Sequence, residues 1–561
     1  MTTFYPLDQQ ALFTNREYEL AQLVHYCQAL QPNPVEHVAL FGLRRIGKTL
    51  LLKEFMRRTL IEATNVVPVY MDFSMLASSP ENFALGYVGQ ICYWLLRHGE
   101  GETEPFLSPG TLPAALLQSG ASDLYPPVES LLRELGKARP DRQALLRQAF
   151  HFSQEVIAAR KCSLALIFDE FQEIRTLTRY PNSQNVLALL RAEIQSQSDA
   201  LYILAGSAVS VLTDLLSNPE SPLFAQFTRL QVDAFNREST GILVRKLTSD
   251  RAGPDLLPLI HNLSGGHPFY ITALCRRFTN LVDVAHRPLD ADTVKQAFLT
   301  ETLAPHGRIY DFCRYVYDLS LQKASGYGAL KAVLQILATE EGLNASEIAR
   351  RLRVTSATAG DYLRWLREVD LITEREHNYY FRDPVLRFWI ANTIRGVEIS
   401  LTAEPLDLMG LMVRLDAQFQ RVSEELGVAQ ESAIRELMRK FDGQVVDGSI
   451  FGRPGTVKLP RFVHVEAHVS PDGQTQLDAV GKTASGGKWI AEVKWRRVGA
   501  AHSKRAGRKE LERLKHIAQG DQAWYVSRGG FTDEAVQYAA QERVYISTAQ
   551  DIQSLRAALG G

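Results

Sequence analysis

Apolar residues fall into two patterns in the first half of the chain, short unbroken runs and one-sided helical spacings, and the two alternate. Val38-Ala39-Leu40-Phe41, Val66-Val67-Pro68-Val69-Tyr70-Met71-Asp72, Ser163-Leu164-Ala165-Leu166-Ile167-Phe168 and Leu201-Tyr202-Ile203-Leu204-Ala205 are runs of strand length, the pattern of strands buried on both faces. Pro68 has no N–H to give a neighbour, which assigns the second run to an edge or an end of the sheet. Upstream of the first run, Leu20, Leu23 and Val24 share a helical face, and residues 74–160 are mostly helical in spacing. A polar stretch with Pro and Gly, residues 99–127, interrupts them and reads as an insertion or mobile loop. Strands alternating with helices predict a parallel α/β sheet with its binding edge at the strand carboxyl ends.

The second half has a different rhythm. Val333, Leu334 and Leu337 mark a helix, and Asn344 precedes Glu347 by three residues in a capping-box arrangement ahead of Ile348, Ala349 and Leu352. Val354-Thr355-Ser356-Ala357-Thr358 is a short turn before a helix through Leu363, Leu366 and Val369; Leu371-Ile372-Thr373 and Asn378-Tyr379-Tyr380-Phe381 read as paired strands. Residues 401–426 are helical and charged, a connector. Beyond Gly427 come a helix through Glu431 and Leu437, three strands at 462–469, 474–480 and 488–495, a basic helix at 504–518, a strand at 523–527 and a helix from Thr532, in the order αβββαβ.

Length sets the number of such units. A chain of 561 residues is too long for one core and divides into about three or four domains. Its 45% hydrophobic and 22% charged content is that of a soluble globular protein, and a net charge of -1 confines any nucleic-acid surface to a local patch. Cys27, Cys92, Cys162, Cys275 and Cys313 lie far apart without C-x-x-C spacing, so neither a zinc site nor a disulfide framework is indicated, and a reducing compartment is the simplest reading. With no signal peptide and no apolar run of membrane-spanning length, the expected location is the cytoplasm, with no membrane partner.

The first strand breaks into Gly42-Leu43-Arg44-Arg45-Ile46-Gly47-Lys48-Thr49, which fits G-x-x-x-x-G-K-[ST] at every fixed position, and Leu50 onward is helix-forming. This is a phosphate-binding loop: backbone N–H groups and the positive helix end surround a phosphate, Lys48 reaches the β- and γ-phosphates of ATP, and the Thr49 hydroxyl ligates Mg2+. The third run ends in Asp169-Glu170. On a strand edge beside such a loop, the first carboxylate holds the metal and the second orients or deprotonates the attacking water. Ser207, after the fourth run, is placed either to sense the γ-phosphate or to cap the next helix.

Phe13-Thr14-Asn15-Arg16-Glu17-Tyr18-Glu19-Leu20, the loop, the strand end Ile167-Phe168-Asp169-Glu170-Phe171-Gln172 and Ser264-Gly265-Gly266-His267-Pro268-Phe269-Tyr270 together resemble the archaeal-type branch of the STAND ATPases, signal-transducing relatives of AAA+ proteins. The resemblance covers about the first 300 residues. It implies an ATPase core over residues 1–235, a helical lid over 236–325 with Gly266, His267 and Pro268 near the nucleotide, and Arg16 near the base or ribose. Where the family often has an arginine after a Pro-Leu-Tyr-Gly-like segment, Pro222-Leu223-Phe224-Ala225-Gln226 carries Gln226, and Arg229 is the nearest substitute for an arginine finger.

Residues 326–395 resemble a winged helix-turn-helix, with Thr355, Ser356, Thr358, Arg364 and Arg367 available to a groove and phosphates. The same fold also serves to pack between domains, and Asp361 in the presumed recognition helix counts against DNA. Asp383-Pro384-Val385-Leu386-Arg387-Phe388-Trp389 closes the module. After the connector at 396–426, residues 427–561 resemble the PD-(D/E)xK nuclease superfamily, with Asp478 on the second strand and Glu492-Val493-Lys494 on the third. Period-2 geometry puts Glu492 and Lys494 on one face. Asp478 and Glu492 would hold Mg2+ or Mn2+, Lys494 would position the attacking water and stabilise phosphorane charge, and Glu431 matches the accessory acid of many members. Lys482, Lys488, Arg496, Arg497, Lys504, Arg505, Arg508, Lys509, Arg513 and Lys515 supply the local basic patch. His464, Glu466 and His468 alternate on one strand and read as a solvent face, since further metal ligands are not in view.

These readings join into an ATP-regulated DNA-processing protein: a homo-oligomeric ATPase switch controlling a metal-dependent nuclease, with DNA before RNA as partner and defence against foreign DNA as the setting. The alternative is a non-cleaving, ATP-dependent DNA-binding regulator or scaffold with an inactive nuclease fold.

Overall fold

The computed structural model describes residues 5–28, 30, 36–62, 65–322, 327–375, 377–393, 397, 399–400, 408–412, 415, 434–469, 476–494, 505–527 and 530–559. The chain divides into two compact units, Met1–Leu408 and Met409–Gly561.

The first unit is built on a five-stranded sheet of β1 (His37–Phe41), β2 (Val66–Asp72), β3 (Ser163–Asp169), β4 (Ala200–Ala205) and β5 (Phe227–Gln231), in the order β2-β3-β4-β1-β5. Every neighbouring pair is parallel. The inner strands β1, β3 and β4 are buried along their whole length, which is why their sequences are unbroken apolar runs. β2 lies at one edge, as Pro68 requires. β5 lies at the other, and with Leu230 its only buried residue it has no apolar run to announce it. Parallel pairing brings the carboxyl ends of β1, β3 and β4 to one edge.

Residues 99–127 are not a mobile loop. They fold into helices Glu104–Leu107 and Leu112–Gln118, a turn at Ser122–Leu124 and the start of Tyr125–Leu135. Phe106, Leu112, Leu116 and Leu124 are buried. The prolines that read as breakers, Pro105, Pro113 and Pro126, occupy first-turn positions, where a missing N–H costs no helical hydrogen bond.

Five helices follow β5: Arg237–Thr248, Leu257–Ser264, Pro268–Asp283, Ala291–Leu303 and Arg308–Gln322. Then come helix Tyr327–Thr339, β6 (Leu343–Asn344), helices Ala345–Leu352 and Ser356–Glu368, strands β7 (Ile372–Arg375) and β8 (Asn378–Phe381), and helix Pro384–Thr393. The three short strands pair antiparallel in the order β6-β8-β7. The Asn344 capping box is reciprocal, with Glu347 N–H donating to Asn344 Oδ1 at 3.0 Å and Asn344 N–H to Glu347 Oε2 at 2.9 Å.

In the second unit β9 (Val445–Asp447) and β10 (Thr456–Lys458) form a small ribbon. The main sheet runs β11 (Phe462–Val469), β12 (Gln476–Thr483), β13 (Lys488–Lys494), β14 (Gln522–Ser527) and β15 (Tyr545–Thr548) in sequence order. β11, β12 and β13 pair antiparallel, whereas β13, β14 and β15 pair parallel. One face packs Trp489, Ala491, Val493 and Trp524 on Ile434, Leu437 and Met438. The other packs Ile490, Ala523 and Tyr525 on Leu511, Leu514, Ala535 and Ala539 of helices Arg508–Ala518 and Asp533–Glu542. β15 and the closing helix Ala549–Ala558 extend the expected αβββαβ order. Glu431 and most of the 401–426 connector lie outside the described residues.

Candidate functional site

The glycine loop joins β1 to helix Lys48–Ile61. Gly47 takes φ 106°, a conformation open to glycine at no steric cost. At Gly42 a Cβ would meet the Val232 carbonyl at 2.5 Å, so only glycine lets the loop leave the sheet there. The helix has no side-chain cap and no acidic residue in its first turn, which leaves its orphan N–H groups and positive end to an anion. Lys48 Nζ is buried and donates to the carbonyls of Gly42 at 2.7 Å and Leu43 at 2.9 Å. Burial lowers its pKa to about 8, against the opposing pull of Glu170 and Asp169.

The carboxylates meet this loop across the sheet edge. Thr49 Oγ1 donates to Asp169 Oδ2 at 2.7 Å, and Tyr70 on β2 donates to the same oxygen at 2.9 Å. Burial raises the Asp169 pKa, with the Thr49 and Tyr70 hydrogen bonds acting in the other direction. A hydroxyl and a carboxylate this close form a hard-oxygen pair that fits Mg2+. Glu170 sits at φ 50°, a left-handed turn uncommon outside glycine. Its Oε2 accepts from Ser207 Oγ at 2.7 Å, from Ser207 N–H at 3.4 Å and from Gln172 Nε2. Ser207 therefore does not cap the next helix: Val209–Ser217 begins after Ala208 and has no side-chain cap.

Arg16 is buried and ties the loop to the chain after β5, donating to Ile46 O at 3.2 Å and Asp233 O at 2.7 Å and pairing with Glu19 at 3.2 Å. His267 reaches Arg44 O at 3.0 Å through Nε2, and Pro268 starts the helix behind it. Burial pushes the His267 pKa down to about 4. The imidazole is then neutral, and a hydrogen on Nε2 is the tautomer the Arg44 carbonyl calls for. Gly266 has φ 72°, and a Cβ there would meet Phe235 O at 2.1 Å. Arg45 stacks on Phe269 at 4.5 Å and Phe312 at 4.8 Å. Arg229 lies in β5, stacked over Phe41 at 5.1 Å and donating to Ser217.

A second contact between elements was not legible in sequence. Asp370, just beyond helix Ser356–Glu368, accepts from Ser210 N–H at 3.0 Å and Ser210 Oγ at 2.7 Å in the first turn of Val209–Ser217. Tyr270 donates to Asp383, whose Oδ1 accepts from Val385 N–H at 2.9 Å and Leu386 N–H at 3.2 Å. On the helix proposed to read DNA, Arg364 pairs with Asp361 at 2.9 Å and Arg367 with Glu374.

In the second unit Asp478 Oδ2 accepts from Val493 N–H at 2.6 Å, and Lys494 Nζ lies 3.3 Å from Glu492 Oε1. Glu492 is 5% exposed, and Arg513 reaches the same oxygen at 3.5 Å. Burial raises the Asp478 pKa, which the Val493 N–H and Lys494 partly offset. Asp478, Glu492 and Lys494 thus share one end of the sheet, and the two carboxylates are a donor set suited to a hard divalent cation. Among the described residues no group of three or more His, Cys, Asp or Glu side chains could hold a metal. His464 pairs with Glu466 at 3.1 Å on β11 as an exposed surface pair; the His468 side chain is outside the described residues. Of the basic patch, Arg496, Arg497 and Lys504 are likewise outside them. Tyr70 and Asp370 make these contacts and carry no local sequence signal, whereas Gln172 and Arg513 lie in stretches singled out above without these partners.

Residues 13–274 match the family model described as an ATPase domain predominantly from Archaea. This segment is therefore a P-loop ATPase domain, and ATP is its nucleotide. No curated protein matches the chain. Among solved structures, the Walker-type ATPase PABY2304 of Pyrococcus abyssi is 17% identical over 67% of this chain and 96% of its own, with a TM-score of 0.46. The ORC2 protein of Aeropyrum pernix, in its ADPNP-ADP complexes, is 16% identical over 69% and 98%, TM-score 0.44. The RuvB Holliday junction branch migration motor of Thermotoga maritima is 16% identical over 70% and 98%, TM-score 0.32. Among the described residues no helix is long and apolar enough to cross a membrane.

Proposed function

We propose that the chain is an ATP-regulated, DNA-processing protein in which a STAND-type ATPase switch controls a metal-dependent nuclease of PD-(D/E)xK type. The domains would be an ATPase core at 1–235, a lid at 236–325, a winged helix at 326–395, a connector at 396–426 and the nuclease at 427–561. The observation that carries the nuclease reading is the convergence of Asp478, Glu492 and Lys494, with Glu492 buried beside Lys494 Nζ at 3.3 Å. A buried carboxylate calls for a partner or a metal.

In the ATPase, Thr49 and Asp169 hold Mg2+, Lys48 binds the β- and γ-phosphates, and Glu170 orients the attacking water. His267 and Arg45 connect the loop to the lid, so a phosphate at the loop is felt by helix Pro268–Asp283 and, through Tyr270 and Asp383, by helix Pro384–Thr393. In the second unit Asp478 and Glu492 hold Mg2+ or Mn2+. That cation supplies Lewis acidity at a phosphodiester. Lys494 would position the attacking water and offset the negative charge that develops on the phosphorane oxygens. Helix Arg508–Ala518 carries the phosphate-backbone contacts, self-association couples the switch to the nuclease, and defence against foreign DNA is a setting that suits this combination.

One observation favours a second reading, a non-cleaving DNA-binding regulator. Glu492 is already paired with both Lys494 and Arg513, so its burial is compensated without a cation. The deciding experiment incubates the full chain with single- and double-stranded DNA and RNA in Mg2+ or Mn2+, with and without ATP. Cleavage that Asp478→Ala and Lys494→Ala abolish supports the nuclease. Salt-sensitive binding without scission selects the regulator.

A further inference from the structure

Tyr525 stands out among the groups that the reading above leaves without a role. It lies on β14 directly opposite Glu492 in the parallel register of β13 and β14, and residues paired in this way project from the same face of a sheet. The side chain is 0% exposed, and its hydroxyl has no hydrogen-bond partner among the described residues. The charged groups that act on that hydroxyl are Glu492 and Glu510, then Arg513, then Asp478. It is thus an orphan donor and acceptor within the proposed cation site, whereas the ring itself packs edge-on against Phe531 at 6.1 Å. A phenylalanine would fill the same space, so packing does not explain the oxygen. Leaving a buried hydroxyl unsatisfied is costly, and such a group is retained where something else completes it.

Resting on the metal-site reading above, we propose that the Tyr525 hydroxyl is a positioning group for the hydration shell of a divalent cation held by Asp478 and Glu492. Its oxygen accepts a hydrogen bond from a water of that shell. The neighbouring carboxylate Glu510 is engaged at the helix start, where its Oε2 accepts from Gly507 N–H at 2.7 Å, and Arg513 pairs with Glu492 at 3.5 Å. Neither of these contacts involves the Tyr525 oxygen.

The test uses full-length wild type, Tyr525→Phe and Asp478→Asn, titrated with MnCl2 in a calorimeter at fixed ionic strength. The heat that Asp478→Asn abolishes belongs to the C-terminal site and is thereby separated from binding at the ATPase loop. Tyr525→Phe is expected to keep that heat with affinity weakened about three- to tenfold, the worth of one hydrogen bond. In EDTA it is expected to melt no lower than wild type, because the orphan hydroxyl is gone. Equal Mn2+ affinity in Tyr525→Phe and wild type overturns the role of Tyr525 while leaving the carboxylate site standing. A Tyr525→Phe chain that melts several degrees lower in EDTA makes the hydroxyl a packing requirement and also overturns it. If wild type gives no Asp478-dependent heat, the cation-site reading fails and the proposal fails with it.

Discussion

Glu170 carries three donors on a single carboxylate oxygen, from Ser207 Oγ, Ser207 N–H and Gln172 Nε2, and it does so from a left-handed backbone. An anion so held is fixed in direction, which suits the role proposed for it, aiming a water at the γ-phosphate. Ser207→Ala is expected to leave the Kd for ATP within about twofold and to lower kcat about tenfold, less than the roughly 10²–10⁴-fold that loss of a general base costs. Single-turnover hydrolysis beside nucleotide titration separates the two; a rise in kcat would mean that the serine holds Glu170 away from the water. Arg16 is subject to a different test. Its buried guanidinium joins Ile46, Asp233 and Glu19, so Arg16→Ala leaves polar groups unpaired and should destabilise the first unit by about 3 kcal/mol in calorimetry. At this scale the sequence is readable where the chemistry is local. Gly42 through Thr49 is one contiguous motif, and the adjacent Asp169 and Glu170 end one apolar run. Ser207 and Glu170 are 37 residues apart and Tyr525 is 33 from Glu492; only strand order and register bring them together.

Elements repeat the lesson with a different cause. The inner strands were legible because burial on both faces forces continuous apolar runs, while β5 has only Leu230 buried and stayed invisible. Residues 99–127 were misread because Pro was taken as a breaker, although Pro105, Pro113 and Pro126 each stand where a helix begins. Helix Ser356–Glu368 is the informative case for function. Arg364 is paired with Asp361 and Arg367 with Glu374, and Asp370 immediately beyond it is bonded to Ser210 of the ATPase domain. Those contacts favour packing over groove reading for the carboxyl half of this helix. Arg364→Ala with Arg367→Ala is therefore expected to change DNA affinity at low salt by less than about twofold. Lys509→Ala with Lys515→Ala, the exposed and the partly exposed lysine of Arg508–Ala518, should weaken it and reduce the slope of log affinity against log salt by about one to two. Fluorescence anisotropy over a salt series reads both, and the reverse ranking would move the proposed DNA surface to helix Ser356–Glu368. Loss of the Asp370 carboxylate should cost about 1 kcal/mol, as for other helix caps.

For the whole molecule a net charge of -1 makes the pH response depend on individual buried groups more than on overall repulsion. The first unit buries His37, His261 and His267, each of whose pKa values burial drives from 6.5 to about 4. All three are engaged as neutral rings: His37 Nδ1 accepts from Tyr202 N–H at 3.3 Å, His261 Nδ1 lies 2.9 Å from Thr240 Oγ1, and His267 meets Arg44 O. Between those two values the unfolded chain binds more protons than the folded one, so stability is full above pH 6.5 and falls as pH is lowered toward 4. Each histidine contributes up to ~3 kcal/mol to that loss. Asp169 and Asp383, raised by burial in the same unit, act in the opposite sense. Their contribution is full below the ordinary carboxyl value and declines as pH rises through their folded values, so they offset part of the histidine effect at the acid end. Calorimetry between pH 7.5 and 4.5 should therefore show the ATPase transition moving steadily to lower temperature. His37→Gln, remote from the phosphate loop at the start of β1, should flatten that trend by about a third of its depth. The same slope in His37→Gln and wild type would remove His37 from the account and leave the acid sensitivity to His261 and His267.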